Sequence, residues 1–110
     1  MDLDEYQELT EETAVYPDEF PDFVTTELVY VVLGLSGETG EVVEKLKKAI
    51  REDDEYYLED MEKELGDILW YWARVCEELS ASSGDLAQDN LDKLLDRAER
   101  DVLTGEGDNR

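Results

Sequence analysis

Glu38 and Glu41 lie three residues apart, and so do Glu64 and Asp67. Residues at that spacing share a helix face, so each motif presents two adjacent carboxylates if its segment is helical. In a chain with 32 Asp and Glu among 110 residues, such a pair is by default a solvated helix face. Two features set these pairs apart. Glu38 lies between Leu35 and Val42 on an apolar stripe, and Glu64 lies between Met61 and Ile68 in the same way. A charge facing a core is costly unless it is compensated. The second feature is register. If the charged run Glu52-Asp53-Asp54-Glu55 turns two helices back on each other, facing residues have numbers with a constant total. Glu38 with Asp67, and Glu41 with Glu64, both total 105, which centres the symmetry between Glu52 and Asp53. Both pairs then stand at one level, roughly 20 Å from the turn at ~1.5 Å per residue.

Four carboxylates at one level repel one another unless a cation joins them. A hard divalent ion is the matching partner, because carboxylate oxygens are its preferred ligands. One or two Mg²⁺ ions would leave coordination positions for water and phosphate. Other chemistries are excluded by composition. With no His there is no Ser-His-Asp triad, no Cys-His pair, no His-ligated zinc and no Glu-x-x-His di-iron site. The single Cys, Cys76, excludes an internal disulfide and any multi-Cys metal site. Oxygen ligation therefore points to Mg²⁺, Mn²⁺ or Ca²⁺.

The elements that must carry these residues read as helices. Apolar groups at Leu3, Tyr6, Leu9 and Thr13 suit a first helix over about 3–15. Pro17 and Pro21 punctuate a loop over about 16–22. Leu28, Val31, Leu35, Val42, Leu46 and Ile50 predict a long helix over about 23–51. Leu58, Met61, Leu65, Ile68, Trp72, Val75 and Leu79 predict another over about 55–79. A loop at 80–84 follows, with Ser82 or Ser83 as the cap of a fourth helix that runs to about Leu103. Gly34, Gly37 and Gly40 each cost the second helix roughly 0.5–1 kcal/mol relative to Ala. Close helix packing or backbone access for a ligand would each account for them. The fold expected is all-α and four-helix bundle-like, with two long antiparallel helices carrying the metal site. Residues 1–104 form one helical domain and 105–110 a polar tail.

The net charge of −22 repels a phosphate backbone, so general nucleic-acid binding is not expected. A hydrophobic fraction of 41% with regular apolar spacing argues against disorder. It favours a folded, salt-adapted, halophilic protein whose self-repulsion is screened. No apolar run approaches the ~18 residues of a membrane span, and the acidic start lacks a signal-peptide pattern. A cytoplasmic location is expected.

The chain resembles the MazG-like nucleoside triphosphate pyrophosphohydrolases of the all-α NTP pyrophosphatase group. The resemblance is densest in the segment Leu33-Gly34-Leu35-Ser36-Gly37-Glu38-Thr39-Gly40-Glu41-Val42, and continues in Lys63-Glu64-Leu65-Gly66-Asp67-Ile68-Leu69-Trp70-Tyr71. It extends to Asn90-Leu91-x-Lys93-Leu94-x-x-Arg97 and the tail Gly105-x-Gly107-Asp108-Asn109-Arg110. It implies Mg²⁺-dependent hydrolysis of nucleoside triphosphates to monophosphate and pyrophosphate, including the clearing of non-standard nucleotides, with Mn²⁺ as a substitute ion. It implies that Glu38, Glu41, Glu64 and Asp67 hold the metal, with Glu41 orienting or deprotonating the attacking water. Lys48, Asn90, Lys93 and Arg97 match the phosphate-contacting positions, and the tail would bring Arg110 to a phosphate. Phe20, Phe23, Tyr30 and Tyr71 are aromatics that could stack on the base, with Tyr30 and Tyr71 the leading candidates, and Trp70 and Trp72 point to different sides of the third helix. A homo-oligomer, dimer or tetramer, is implied. Two alternatives stand beside this reading. One is a non-catalytic acidic helical interaction protein, which composition alone would favour. The other is a related pyrophosphohydrolase acting on a biosynthetic nucleotide such as phosphoribosyl-ATP.

Overall fold

A computed structural model describes residues 1–110, which form four α-helices and no strand. They are α1 (Leu3–Thr10), α2 (Thr26–Glu52), α3 (Tyr56–Glu78) and α4 (Ser83–Glu99), with a short 3₁₀ turn at Glu11–Thr13 after α1. No helix is long and apolar enough to cross a membrane.

Side-chain caps set three of the four starts. The Asp2 carboxylate accepts from the Glu5 amide at 2.9 Å, and the Glu5 carboxylate accepts from the Asp2 amide at 3.2 Å, a reciprocal capping box. Thr25 accepts from the Leu28 amide at 3.1 Å, which starts α2 three residues later than the apolar stripe predicts. Ser82, one of the two expected caps, accepts from the Asp85 amide at 3.2 Å.

The ends of α2, α3 and α4 share one device. Asp53, Ser80 and Asp101 adopt left-handed backbone with φ of 48, 54 and 58°. In each case the next amide reaches back to a carbonyl five residues earlier: Asp54 to Ala49 at 3.1 Å, Ala81 to Cys76 at 2.9 Å and Val102 to Arg97 at 2.8 Å. These are Schellman closures on non-glycine residues. The one at Asp101 stops α4 at Glu99, short of the Leu103 expected, although apolar residues continue beyond it. Likewise α1 stops at Thr10, where tightening into the 3₁₀ turn ends the α-helical ladder before Val15.

The turn between α2 and α3 is short and tied. Asp54 Oδ1 accepts from the Tyr56 amide at 3.0 Å, and the Tyr57 hydroxyl donates to Glu52 Oε2 at 2.7 Å. The two long helices therefore return on each other as an antiparallel hairpin, the only extended helix–helix packing within the chain. Its register is the one the carboxylates suggested. Gly34 faces Tyr71, another pair totalling 105, and a Cβ at Gly34 would stand 2.1 Å from the Tyr71 ring. That glycine is explained by close packing. Gly37 and Gly40 have nothing within 4 Å of an added Cβ, so packing inside the chain does not explain them.

The remaining helices stand off the hairpin, and the shape is open. The radius of gyration is 19.7 Å, against about 13 Å for a compact chain of this length. Val31 and Cys76 are the only buried apolar residues, and no side chain is fully buried. Leu33, Leu65, Leu69 and Ile50 on the hairpin are exposed, as are Leu91 and Leu95 on α4. A four-helix bundle is not formed within one chain; the apolar stripes are present but only α2 and α3 cover each other.

Candidate metal centre and nucleotide site

The hairpin register brings Glu38 from the middle of α2 against Glu64 and Asp67 from the middle of α3. One carboxylate oxygen from each of the three lies within 4.8 Å of the others. Glu38 and Glu64 are half-buried and Asp67 is exposed, so the group sits at the edge of the helix seam. A hydrogen bond with Glu64 holds the Glu38 carboxyl above the ordinary glutamate range. Partial desolvation and the negative charges of Asp67, Glu64 and Glu41 push it the same way. Glu41, one turn further along α2, is exposed and lies outside the converging trio while still contributing to its field.

This donor set fits a hard divalent cation. All its ligands are carboxylate oxygens that come from two helices, and the negative charges of the neighbours add to the hydrogen bond with Glu64 in raising the Glu38 carboxyl. Thr39, between the two α2 acids, donates to the Leu35 carbonyl at 2.9 Å and turns its hydroxyl along the helix.

One turn beyond Asp67, away from the hairpin turn, lies an open aromatic cleft of about 490 Å³. Tyr30 and Val31 of α2 and Trp70, Tyr71 and Arg74 of α3 line it, with Glu27 and Glu78 at its edges. Of the candidate base-stacking residues, Tyr30 and Tyr71 line this one cleft and Phe20 and Phe23 do not. Trp70 meets Tyr71 edge-on, with centroids 5.1 Å apart and planes at 88°. Arg74 was not singled out in the sequence. Its signal was available: it is one of only ten Lys and Arg residues, one turn from Tyr71, and it forms no ion pair.

The expected phosphate-contacting residues fall in two places. Lys48 lies on α2, half-buried and without an ion-pair partner, whereas its neighbour Lys47 pairs with Glu44. Asn90, Lys93 and Arg97 share one face of α4 at spacings of three and four. Asn90 and Lys93 line a cavity of about 540 Å³ with Trp72, Leu86, Ala87 and Asp89. Lys93 and Arg97 converge on Asp108 of the tail. No ion pair or hydrogen bond within the chain joins these α4 cations to the carboxylate trio. Arg110 folds back onto the main-chain oxygens of Val102, Leu103 and Gly107.

Comparison with known proteins identifies the family of the chain. Residues 27–101, which include the carboxylate motifs, the aromatic cleft and the α4 cations, match the MazG nucleotide pyrophosphohydrolase domain. The full chain is also similar to the Gene 37 protein of Mycobacterium phage L5, with 39% identity over 114 residues and complete coverage of both chains. No solved structure matches it. The chain belongs to the MazG nucleotide pyrophosphohydrolase family.

Proposed function

We propose that the protein hydrolyses nucleoside triphosphates to nucleoside monophosphate and pyrophosphate, with Mg²⁺ as its ion and Mn²⁺ able to replace it. The observation that carries this reading is the convergence of Glu38, Glu64 and Asp67 in an all-oxygen cluster beside an aromatic cleft. Glu38, Glu64 and Asp67 hold the ion, with Glu41 able to complete the set. The ion, when bound, neutralises phosphate oxygens and favours ionisation of water.

The chain's own groups supply the rest. Glu41 is an exposed carboxylate beside the converging trio, and with no His in the chain it is the residue that would orient a water and take its proton. Lys48, Asn90, Lys93 and Arg97 contact phosphate oxygens, and Arg110 belongs with them once the tail is released. Tyr30 and Tyr71 stack on the base, with Trp70 bracing the Tyr71 ring. Non-standard nucleotides are the substrates this reading favours.

A single chain is not enough. Leu33, Leu65, Leu69 and Ile50 leave the hairpin with uncovered apolar surface that a lone soluble chain would not keep. A homo-oligomer, dimer or tetramer, covers that surface and completes a four-helix bundle from two hairpins. It also lets α4 cations of one copy reach the carboxylates of another. The domain of 1–104 and the tail of 105–110 are separate parts of this design.

The test is product analysis on a panel of nucleoside triphosphates with Mg²⁺ in molar KCl. Equal amounts of monophosphate and pyrophosphate support the reading. Diphosphate with inorganic phosphate, or no product from any nucleotide in a helical sample, overturns it.

A further inference from the structure

Beyond α4 the chain doubles back. Gly105 and Gly107 take φ of 143 and 88°, conformations that side-chain-bearing residues rarely adopt. Arg110 then fastens the loop, donating to the Val102 oxygen at 3.3 Å, the Leu103 oxygen at 3.0 Å and the Gly107 oxygen at 2.5 Å. Arg100 donates to the Arg110 main-chain oxygen at 2.8 Å. The result is a strap that delivers Asp108 to α4. Lys93 Nζ donates to Asp108 Oδ1 at 2.9 Å, and Arg97 Nη2 donates to the same oxygen at 3.3 Å and to the Asp108 main-chain oxygen.

Arg97 is only 5% exposed, and a guanidinium that deep requires an anion. Asp108 supplies it from a side chain that is itself 77% exposed. The match is incomplete. Only Nη2 of Arg97 is engaged, and its buried Nε has no partner. The site therefore offers donors that the carboxylate does not take, the buried Nε among them. A phosphate group, with several acceptor oxygens around one centre, can engage Nε, Nη2 and Lys93 Nζ together. Space for the rest of such a ligand lies alongside, in the cavity that Lys93 shares with Asn90 and Trp72. The Asp108 carboxyl is held below the ordinary aspartate range by the Lys93 hydrogen bond, the Lys93 charge and the Arg97 hydrogen bond, so it stays anionic while seated.

We propose that Lys93 and Arg97 form a phosphate site that the Asp108 strap occupies at rest and vacates when a phosphate group enters. This rests on the reading above that the α4 cations contact substrate phosphates. Exchange of one anion for another keeps Arg97 neutralised throughout. It also makes the strap a competitor: apparent phosphate affinity is the intrinsic affinity reduced by the fraction of molecules with the strap open.

The experiment is calorimetric titration of the full chain with inorganic tripolyphosphate in the absence of divalent metal. Asp108→Asn, at an exposed position, keeps the helices intact by circular dichroism. If the strap is closed about nine-tenths of the time, this variant binds tripolyphosphate about tenfold more tightly than the unaltered chain, while Asp108→Glu does not. In the unaltered chain, saturating tripolyphosphate moves the NMR amide shifts of Gly107 and Asp108 away from their seated positions. Equal or weaker binding by Asp108→Asn, unmoved tail shifts, or no binding by either protein overturns the proposal. Its failure is separable from that of the proposed activity. A gain in tripolyphosphate affinity in a protein that hydrolyses no nucleotide keeps the strap and removes the activity. Turnover of nucleotides with no gain removes the strap alone.

Discussion

Alanine at three glycines of one helix should have effects of opposite sign. Gly34, Gly37 and Gly40 all lie within α2, so each Gly→Ala change carries the same helix gain of about 0.5–1 kcal/mol. At Gly37 and Gly40 an added Cβ meets nothing within 4 Å, and that gain stands alone. At Gly34 the Cβ would lie 2.1 Å from Tyr71 Cε1 and 2.5 Å from Cδ1 and Cζ. No Cβ tolerates that approach, so the ring must leave its place against α2. Forcing a methyl into a packed seam costs about 1–3 kcal/mol. The difference between Gly34→Ala and Gly37→Ala cancels the helix gain and isolates that cost. The assay is urea unfolding at one fixed protein concentration, since any assembly makes stability depend on concentration. Gly34→Ala should unfold at lower urea than the unaltered chain or match it, and Gly37→Ala at higher. The Trp70 near-ultraviolet circular dichroism should change only in Gly34→Ala, because Trp70 rests edge-on against the displaced ring. Equal stabilisation at all three sites would refute the close approach of α2 and α3 at this level. A loss at Gly37 or Gly40 would mean that another chain packs there.

The remaining predictions concern assembly and pH. Sedimentation should give at least twice the 12.7 kDa mass of one chain, and a monodisperse monomer would contradict the argument from the uncovered apolar surface. A proton competes with the cation at the carboxylate trio, because Glu38 is raised and must ionise to serve as a ligand. Mg²⁺ affinity measured by calorimetry should therefore fall as pH falls through the Glu38 value. Without metal the sign reverses: a raised carboxyl contributes stability below its unfolded pKa that is lost as pH rises through the folded one, and Mg²⁺ should restore it. The Tyr57 hydroxyl is raised mainly by donating to Glu52, so its contribution holds below the ordinary tyrosine value and is lost as pH rises through the folded one. Tyr57→Phe should flatten that alkaline limb of the unfolding midpoint, and an unchanged limb would remove the turn contact from the account.

The parts of this molecule that were legible in the sequence are those governed by periodicity. The stripes from Leu28 to Ile50 and from Leu58 to Leu79 located α2 and α3 within a few residues. The constant total of 105 brings Glu38, Glu64 and Asp67 together, though Glu41, the fourth carboxylate expected, falls outside the trio; a tight hairpin leaves little freedom of register, and the Gly34–Tyr71 approach shows the same register independently. The helix ends were less legible. An apolar residue such as Leu103 continues a stripe whether or not the backbone does, and Asp101 in left-handed conformation ended α4 first. Packing partners were not legible for α1 and α4, because an amphipathic face states that it needs cover and not what covers it. The sequence of the tail suggests a fold over the site through Arg110. Its return is visible, but Asp108 rather than Arg110 makes the contact with Lys93 and Arg97. A glycine-containing segment of mixed charge has no periodicity from which to choose between them. The aromatic cleft is half-legible: Tyr30 and Tyr71 stand out as aromatics, whereas Arg74, a scarce cation three residues from Tyr71, carries a signal that is easy to pass over.

The most direct test of the central claim compares pyrophosphate release by the unaltered chain and by Glu64→Gln, each with Mg²⁺ present and with Mg²⁺ chelated. Glu64→Gln keeps the size of the side chain and removes one of three converging charges, so the fold should survive, as circular dichroism can verify. The account predicts release only with Mg²⁺, and a fall on the order of a hundredfold or more in Glu64→Gln. Release that persists without the ion, or that is equal in the two proteins, would contradict it.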